Sequence, residues 1–172
     1  MSNSILATEW SEKFDTLRFK SSAQFTELRK KMMEMSYYKY GPLRDNYKKE
    51  KCINAIGSLE MRLEKFEETH NLEFLADVAN FAMIEYMYPQ HEHTSYSPVT
   101  PNTTQTHVDV IKDSIQQYKA TGNTAFLVIV ANFAELEFNY PQTDGAAYEP
   151  TDSGACDIDG FGIQEIRDFD KY

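Results

Sequence analysis

Cysteine is nearly absent from this chain. Cys52 and Cys156 are its only two, far apart and with no CxxC pair, so no disulfide framework and no cysteine-based zinc site follows from them. Long apolar runs are missing too: nothing approaches the roughly 18 residues that a membrane-spanning helix needs. The opening "MSNSILATEWSEKF" has no basic start followed by an apolar run, so it does not read as a secretory signal. A reduced intracellular protein, with no membrane contact, is the expectation.

Basic residues are scarce beyond the first third. Residues 1–51 hold 11 of the 17 Lys and Arg against 7 acids, a net of +4, while residues 52–172 hold 6 against 20, a net of −14. One reading is a solvated acidic face beside basic N-terminal helices. The other is a bipolar molecule whose acidic body occupies a basic groove meant for nucleic acid. A hydrophobic fraction of 41% marks the chain as globular, and its length suits one domain or two very small ones sharing a core.

Strong catalytic and metal signatures are lacking as well. All four histidines are His70, His91, His93 and His107, with "HEH" (91–93) in a polar loop and no HExxH helix, so zinc is not expected. "CDIDGFGIQE" (156–165) fails as a calcium loop. If Asp157, Asp159 and Gly160 filled its third, fifth and sixth positions, Ala155 and Ile166 would fall at the first and twelfth. "GFG" lacks the GxGxxG cradle, and no Ser or Cys sits in a nucleophile motif.

What the chain does have is a repeat. "VANFAMIEYMYPQ" (78–90) returns as "VANFAELEFNYPQ" (130–142), and residues 69–98 align with 121–150 without a gap at 15 identical positions of 30. The match extends to the outlying Tyr96/Tyr148 and Pro98/Pro150, which two unrelated amphipathic helices would not keep in register. Two copies are too few for a solenoid, so a pair packed about a pseudo-twofold axis is expected.

Each copy reads as a helical hairpin. Leu59, Leu63 and Phe66 recur at helical spacing, as do Ile111, Ile115 and Tyr118. Gly122 signals the end of one helix, Asn71 and Asn123 offer caps to the next, and Pro89 and Pro141 stop it. Upstream, Phe25, Leu28, Met32 and Met35 form one stripe, and Gly41-Pro42 breaks it. "FLVIVANF" and "CINAI" could be strands, but the repeat ties the first to a helical equivalent. The expected fold is therefore all-α. Residues 1–50 form a basic helical region, 51–105 and 106–150 the two repeats, and 151–172 an irregular acidic tail.

A helical wheel puts Glu85 and Glu137 in the middle of an apolar stripe, beside Phe74, Val78 and Phe81 or Phe126, Val130 and Phe133. A carboxylate there must be hydrogen-bonded, paired or bound to a cation. Three readings stay open: hydrogen bonds from tyrosines or backbone amides near the helix end, a divalent cation held by both across the axis, or contact with a ligand or partner. Asn80 and Asn132 lie off the stripe. Asp77 flanks it in the first copy only, since Ile129 replaces it in the second.

"YYKYGPLRDNYKK" mixes bases with tyrosines, so Tyr37, Tyr38, Lys39, Tyr40, Arg44, Lys48 and Lys49 could contact single-stranded nucleic acid. Helix packing with solvated lysines explains the same stretch. Glu64, Glu67, Glu68 and Asp77 loosely resemble the acidic residues of all-α nucleotide pyrophosphohydrolases of the MazG type. That family's second motif has a Glu three residues before the Asp, where Phe74 stands here, and Glu73 is one position off. The resemblance implies a magnesium-dependent hydrolase of nucleoside triphosphates using Glu64, Glu67, Asp77 and Glu85. Otherwise no cofactor, metal or catalytic residue is expected.

"SYYKYGPLRDNY", "LEFLADVANFAMIEYMYPQH", "TGNTAFL" and "YEPTDS" together resemble a group of small proteins of bacteriophages, prophages and mobile elements of Firmicutes and gut bacteria. Those proteins carry one copy of the motif, followed by a short His/Tyr and TDS-containing loop. The resemblance implies an accessory protein that inhibits a host nucleic-acid-directed defence nuclease by binding it, as anti-CRISPR proteins do. Its partner would be a host protein such as a CRISPR effector. The contact surface would draw on Asn80, Glu85, Gln90, His91, Glu92, His93 and Tyr96, and on Asn132, Glu137, Gln142, Asp144, Tyr148 and Asp152. A self-associating structural or regulatory protein, such as a homodimer, is the plainer alternative.

Overall fold

A computed structural model describes residues 23–43 and 54–151. Cys52, Cys156, Arg44, Lys48, Lys49, Asp152 and the calcium-like loop thus lie outside the described residues, as does the side chain of Lys39. The fold is all-α, with five helices and no strand among the described residues: α1 (Ala23–Tyr40), α2 (Ala55–Thr69), α3 (Glu73–Met87), α4 (His107–Thr121) and α5 (Ala125–Asn139).

Local chemistry sets the helix ends. The Asn54 side chain accepts from Gly57 N at the start of α2, and Thr106 accepts from Asp109 N at the start of α4. Both helices close on a left-handed residue, His70 at φ 58° and Gly122 at φ 74°. Asn71 and Asn123 sit one residue before the last non-helical position. Their Oδ1 atoms accept the first N–H of α3 (Glu73, 3.1 Å) and of α5 (Ala125, 3.1 Å). α3 and α5 stop two residues before Pro89 and Pro141. "FLVIVANF" lies within α5, so it is not a strand, and Ala55-Ile56 of "CINAI" open α2, while Cys52 and Ile53 lie outside the described residues.

α3 and α5 pack on each other at the centre, α2 covers α3, α4 covers α5, and α1 lies on α3. The shared core takes Leu59, Phe66, Leu75, Val78, Ile111, Ile115, Leu127 and Val130, all at most 2% exposed. Burying each of these side chains contributes about 1.5–3 kcal/mol. α1 is fastened by a two-way amide contact. Arg29 Nε donates to Asn80 Oδ1 at 2.9 Å, and Asn80 Nδ2 donates back to Arg29 O at 3.1 Å. At its start, Phe25 is fully buried, its ring 5.0 Å from that of Phe138 at the end of α5.

The loops after α3 and α5 cross over. Each runs beside the turn of the opposite hairpin, making parallel bridges Ser95–Asn123 and Asn71–Ala147. Asn123 Nδ2 donates to Ser97 O (2.9 Å) while its Oδ1 accepts from Ser97 N (3.0 Å). Asn71 does the same to Glu149 O (2.7 Å) and Glu149 N (3.0 Å). Every partner in the first set is 52 residues from its counterpart in the second.

Candidate functional site

Glu85 and Glu137, 2% and 0% exposed, sit where α3 and α5 end against the crossing loops. Glu85 Oε1 accepts from Gln90 N and from the Tyr118 hydroxyl, both at 2.8 Å. Glu137 Oε1 accepts from Gln142 N at 2.6 Å and lies 3.2 Å from His107 Nδ1. Its Oε2 accepts from the Thr143 hydroxyl at 2.9 Å. Of the three readings, the geometry is that of hydrogen bonds from a tyrosine and from backbone amides just past the helix end. Glu85 Oε2 is buried with no hydrogen-bond partner. Burial, then the neighbouring Glu85 as acceptor and as charge, push the Tyr118 hydroxyl far above its ordinary range and keep it a donor. Among the described residues no group of three or more His, Cys, Asp and Glu is placed to hold a metal ion.

His91 extends this network. His93 N donates to its Nδ1 (2.9 Å), so Nε2 carries the proton that bonds Lys119 O (2.9 Å). The ring lies 5.6 Å from that of Tyr118. His91 thus fastens the first loop to the end of α4.

A second charged cluster belongs to the first hairpin alone. Arg62 on α2 is 4% exposed and its Nε lies 3.6 Å from Asp77 Oδ2 on α3. Glu73, one turn before Asp77, accepts from Thr151 N at 2.8 Å. Burial raises both carboxyls above their usual range. Arg62 opposes the shift at Asp77, and the Thr151 hydrogen bonds oppose it at Glu73. The corresponding residues of the second hairpin are Ser114, Ala125 and Ile129.

The residues proposed for triphosphate hydrolysis are not brought together. Glu64 and Glu67 line a groove of about 330 Å³ between α2 and α4, with Glu60, Leu63, Lys112, Ile115 and Gln116. Glu67 is salt-bridged there to Lys112 at 2.7 Å. Asp77 faces Arg62 instead, and Glu85 is enclosed beside Tyr118.

The residues expected at a partner surface divide in two. Gln90, Glu92, His93, Tyr96, Asn132, Gln142 and Asp144 are exposed, and His91 and Tyr148 are half-buried. Asn80, Glu85 and Glu137 are buried and cannot touch a partner, because their polar atoms hold α1 and the two loops in place. Tyr37 and Tyr38 are 56% and 75% exposed with rings 5.9 Å apart, whereas Tyr40 is half-buried. Sequence reasoning missed Arg62 and Tyr118 as polar anchors. Arg62 was detectable on the stripe of Leu59, Leu63 and Phe66, and Tyr118 as the one hydroxyl gained where the first copy has Phe66.

No helix among the described residues is long and apolar enough to cross a membrane. No protein-family model, curated protein or solved structure matches the chain.

Proposed function

We propose that the protein is a phage or mobile-element accessory protein that binds a host nucleic-acid-directed nuclease of the CRISPR-effector kind and blocks its nucleic-acid groove. The observation that carries this reading is the disposition of charge. Residues 54–151 hold 14 acids and 4 bases. Three of the bases are turned onto acids within the fold, as Arg62–Asp77, Lys112–Glu67 and Lys119–Glu60. Glu64, Glu68, Glu92, Asp109, Asp113, Asp144 and Glu149 are exposed on α2, α4 and both crossing loops. The loops that carry three of them are fastened at both ends, so their carboxylates need little ordering on binding.

The scaffold of this reading is a duplicated hairpin, two copies packed about a pseudo-twofold axis and exchanging their loops. It acts in the cytoplasm of an infected or lysogenic bacterium. Affinity capture from a host lysate, followed by assays on the purified partner, tests the proposal. The expected partner is a nuclease whose cleavage and DNA loading both fall when the protein is added, with affinity that weakens as NaCl rises from about 0.05 M to about 0.5 M. Affinity independent of salt, or simultaneous binding of protein and DNA, would falsify groove occupation.

A further inference from the structure

The groove between α2 and α4 carries a charge pattern that the 52-residue repeat makes legible. Glu60 and Lys112 occupy the same position of the two copies, as do Glu67 and Lys119. Across the groove the partners are exchanged: Lys119 bonds Glu60, and Lys112 bonds Glu67, over a floor that includes Leu63 and Ile115, themselves equivalent. One copy supplies acid at both positions and the other supplies base at both. Identical copies would put four carboxylates, or four ammonium groups, around the same groove.

The buried layer repeats the logic. Tyr118 of the second hairpin supplies the hydroxyl to Glu85 of the first. Its equivalent is Phe66, which has no hydroxyl to offer Glu137. Glu137 takes Thr143 and His107 from its own hairpin instead. A first hairpin paired with another first hairpin would therefore set each Glu85 against a phenylalanine.

We infer that these positions form a pairing code: the inner face of the α2–α3 hairpin is built to accept the α4–α5 hairpin and to reject a second copy of itself. The partner that fits this face carries lysines at the positions of Lys112 and Lys119 and a buried hydroxyl at that of Tyr118. The code keeps a duplicated, self-complementary unit folded within one chain instead of joining chains through like hairpins.

Variants of the full chain reproduce the rejected pairings. Lys112→Glu with Lys119→Glu gives the groove the charges of two first hairpins, and Glu60→Lys with Glu67→Lys those of two second hairpins. Each double variant is expected to melt roughly 4–8 °C lower at low salt and to recover much of that near 1 M NaCl. Combining all four substitutions restores opposite charges and returns the melting temperature to within about 2 °C of the parent. Tyr118→Phe lowers it by a similar amount with no salt response. The code is overturned if either double variant melts with the parent at low salt, if the fourfold variant melts no higher than the doubles, or if Tyr118→Phe leaves melting unchanged.

Discussion

At the two places where a loop crosses a turn, bulk and conformational freedom are traded between the copies. In the second turn Gly122 adopts φ 74°, and a Cβ there would sit 2.3 Å from His93 O and 2.7 Å from His91 Nδ1. At the first turn the equivalent left-handed residue is His70, and the loop residue opposite it, equivalent to His93, is Gly145. One crossing thus has glycine in the turn and histidine in the loop, and the other has the reverse. Gly122→Ala meets both a left-handed backbone and a backbone oxygen, so it is expected to cost more than about 2 kcal/mol. His70→Gly removes the left-handed penalty and is expected to stabilise by about 0.5–1 kcal/mol. Thermal or urea melts of both variants measure these shifts. Equal effects of the two substitutions would contradict the trade.

Beyond the pairing positions, α2 and α3 differ from α4 and α5 in the cluster of Arg62, Glu73 and Asp77. The second hairpin offers a comparison within the chain, because α4 packs on α5 with Ser114, Ala125 and Ile129 at the repeat-equivalent positions. The fold is therefore expected to tolerate the loss of those charges. Asp77→Ile removes the carboxylate that faces buried Arg62 and is expected to destabilise the fold by more than about 1 kcal/mol, while Arg62→Leu with Asp77→Ile recovers most of it. A double variant as unstable as the single one would show that the pair is needed for packing after all. Both carboxyls bind their proton more tightly folded than unfolded, so the native state holds the extra proton. Stability contributed by the cluster accordingly falls as pH rises through the folded values, from the ordinary carboxylate range toward neutrality. In Glu73→Gln with Asp77→Asn that downward slope is expected to flatten, which melts across this pH interval will show. These elements were also the most legible part of the sequence. Helix ends could be read from Pro89, Pro141, Gly122 and the two capping asparagines, because caps and stops are local chemistry. The crossing of the loops could not, since it rests on hydrogen bonds between residues 26 and 78 positions apart. Yet its trace was visible. The repeated Tyr-x-Pro keeps its register because the middle residue, Ser97 or Glu149, is the one clamped through both its N–H and its C=O. The wheel likewise located Glu85 and Glu137 but could not show that Tyr118 and His107 would supply them with donors.

For the molecule as a whole, the decisive quantity is the field of the acidic body. Over residues 54–151 the charge is −10, and α1 adds only two net positive charges on one side. Such a field raises the encounter rate with a basic groove more than it strengthens the final contact, because exposed carboxylates gain little from any single pair in water. Neutralising Glu64, Glu68, Asp109 and Asp113 as amides leaves every buried contact described above in place, since all four are exposed. The fourfold variant is therefore expected to fold with unchanged melting and to bind the nuclease proposed as its partner with an association rate about tenfold or more lower at low salt. Near 0.5 M NaCl the difference should shrink to about twofold, because screening then cuts the field to a few ångströms. Dissociation rates should change little. Kinetic binding measurements at both salt concentrations separate the outcomes. A variant slowed equally at low and high salt would mean that these carboxylates touch specific donors and do not act as a field. A variant with unchanged association would move the contact to the crossing loops, where Glu92, Asp144 and Glu149 remain charged.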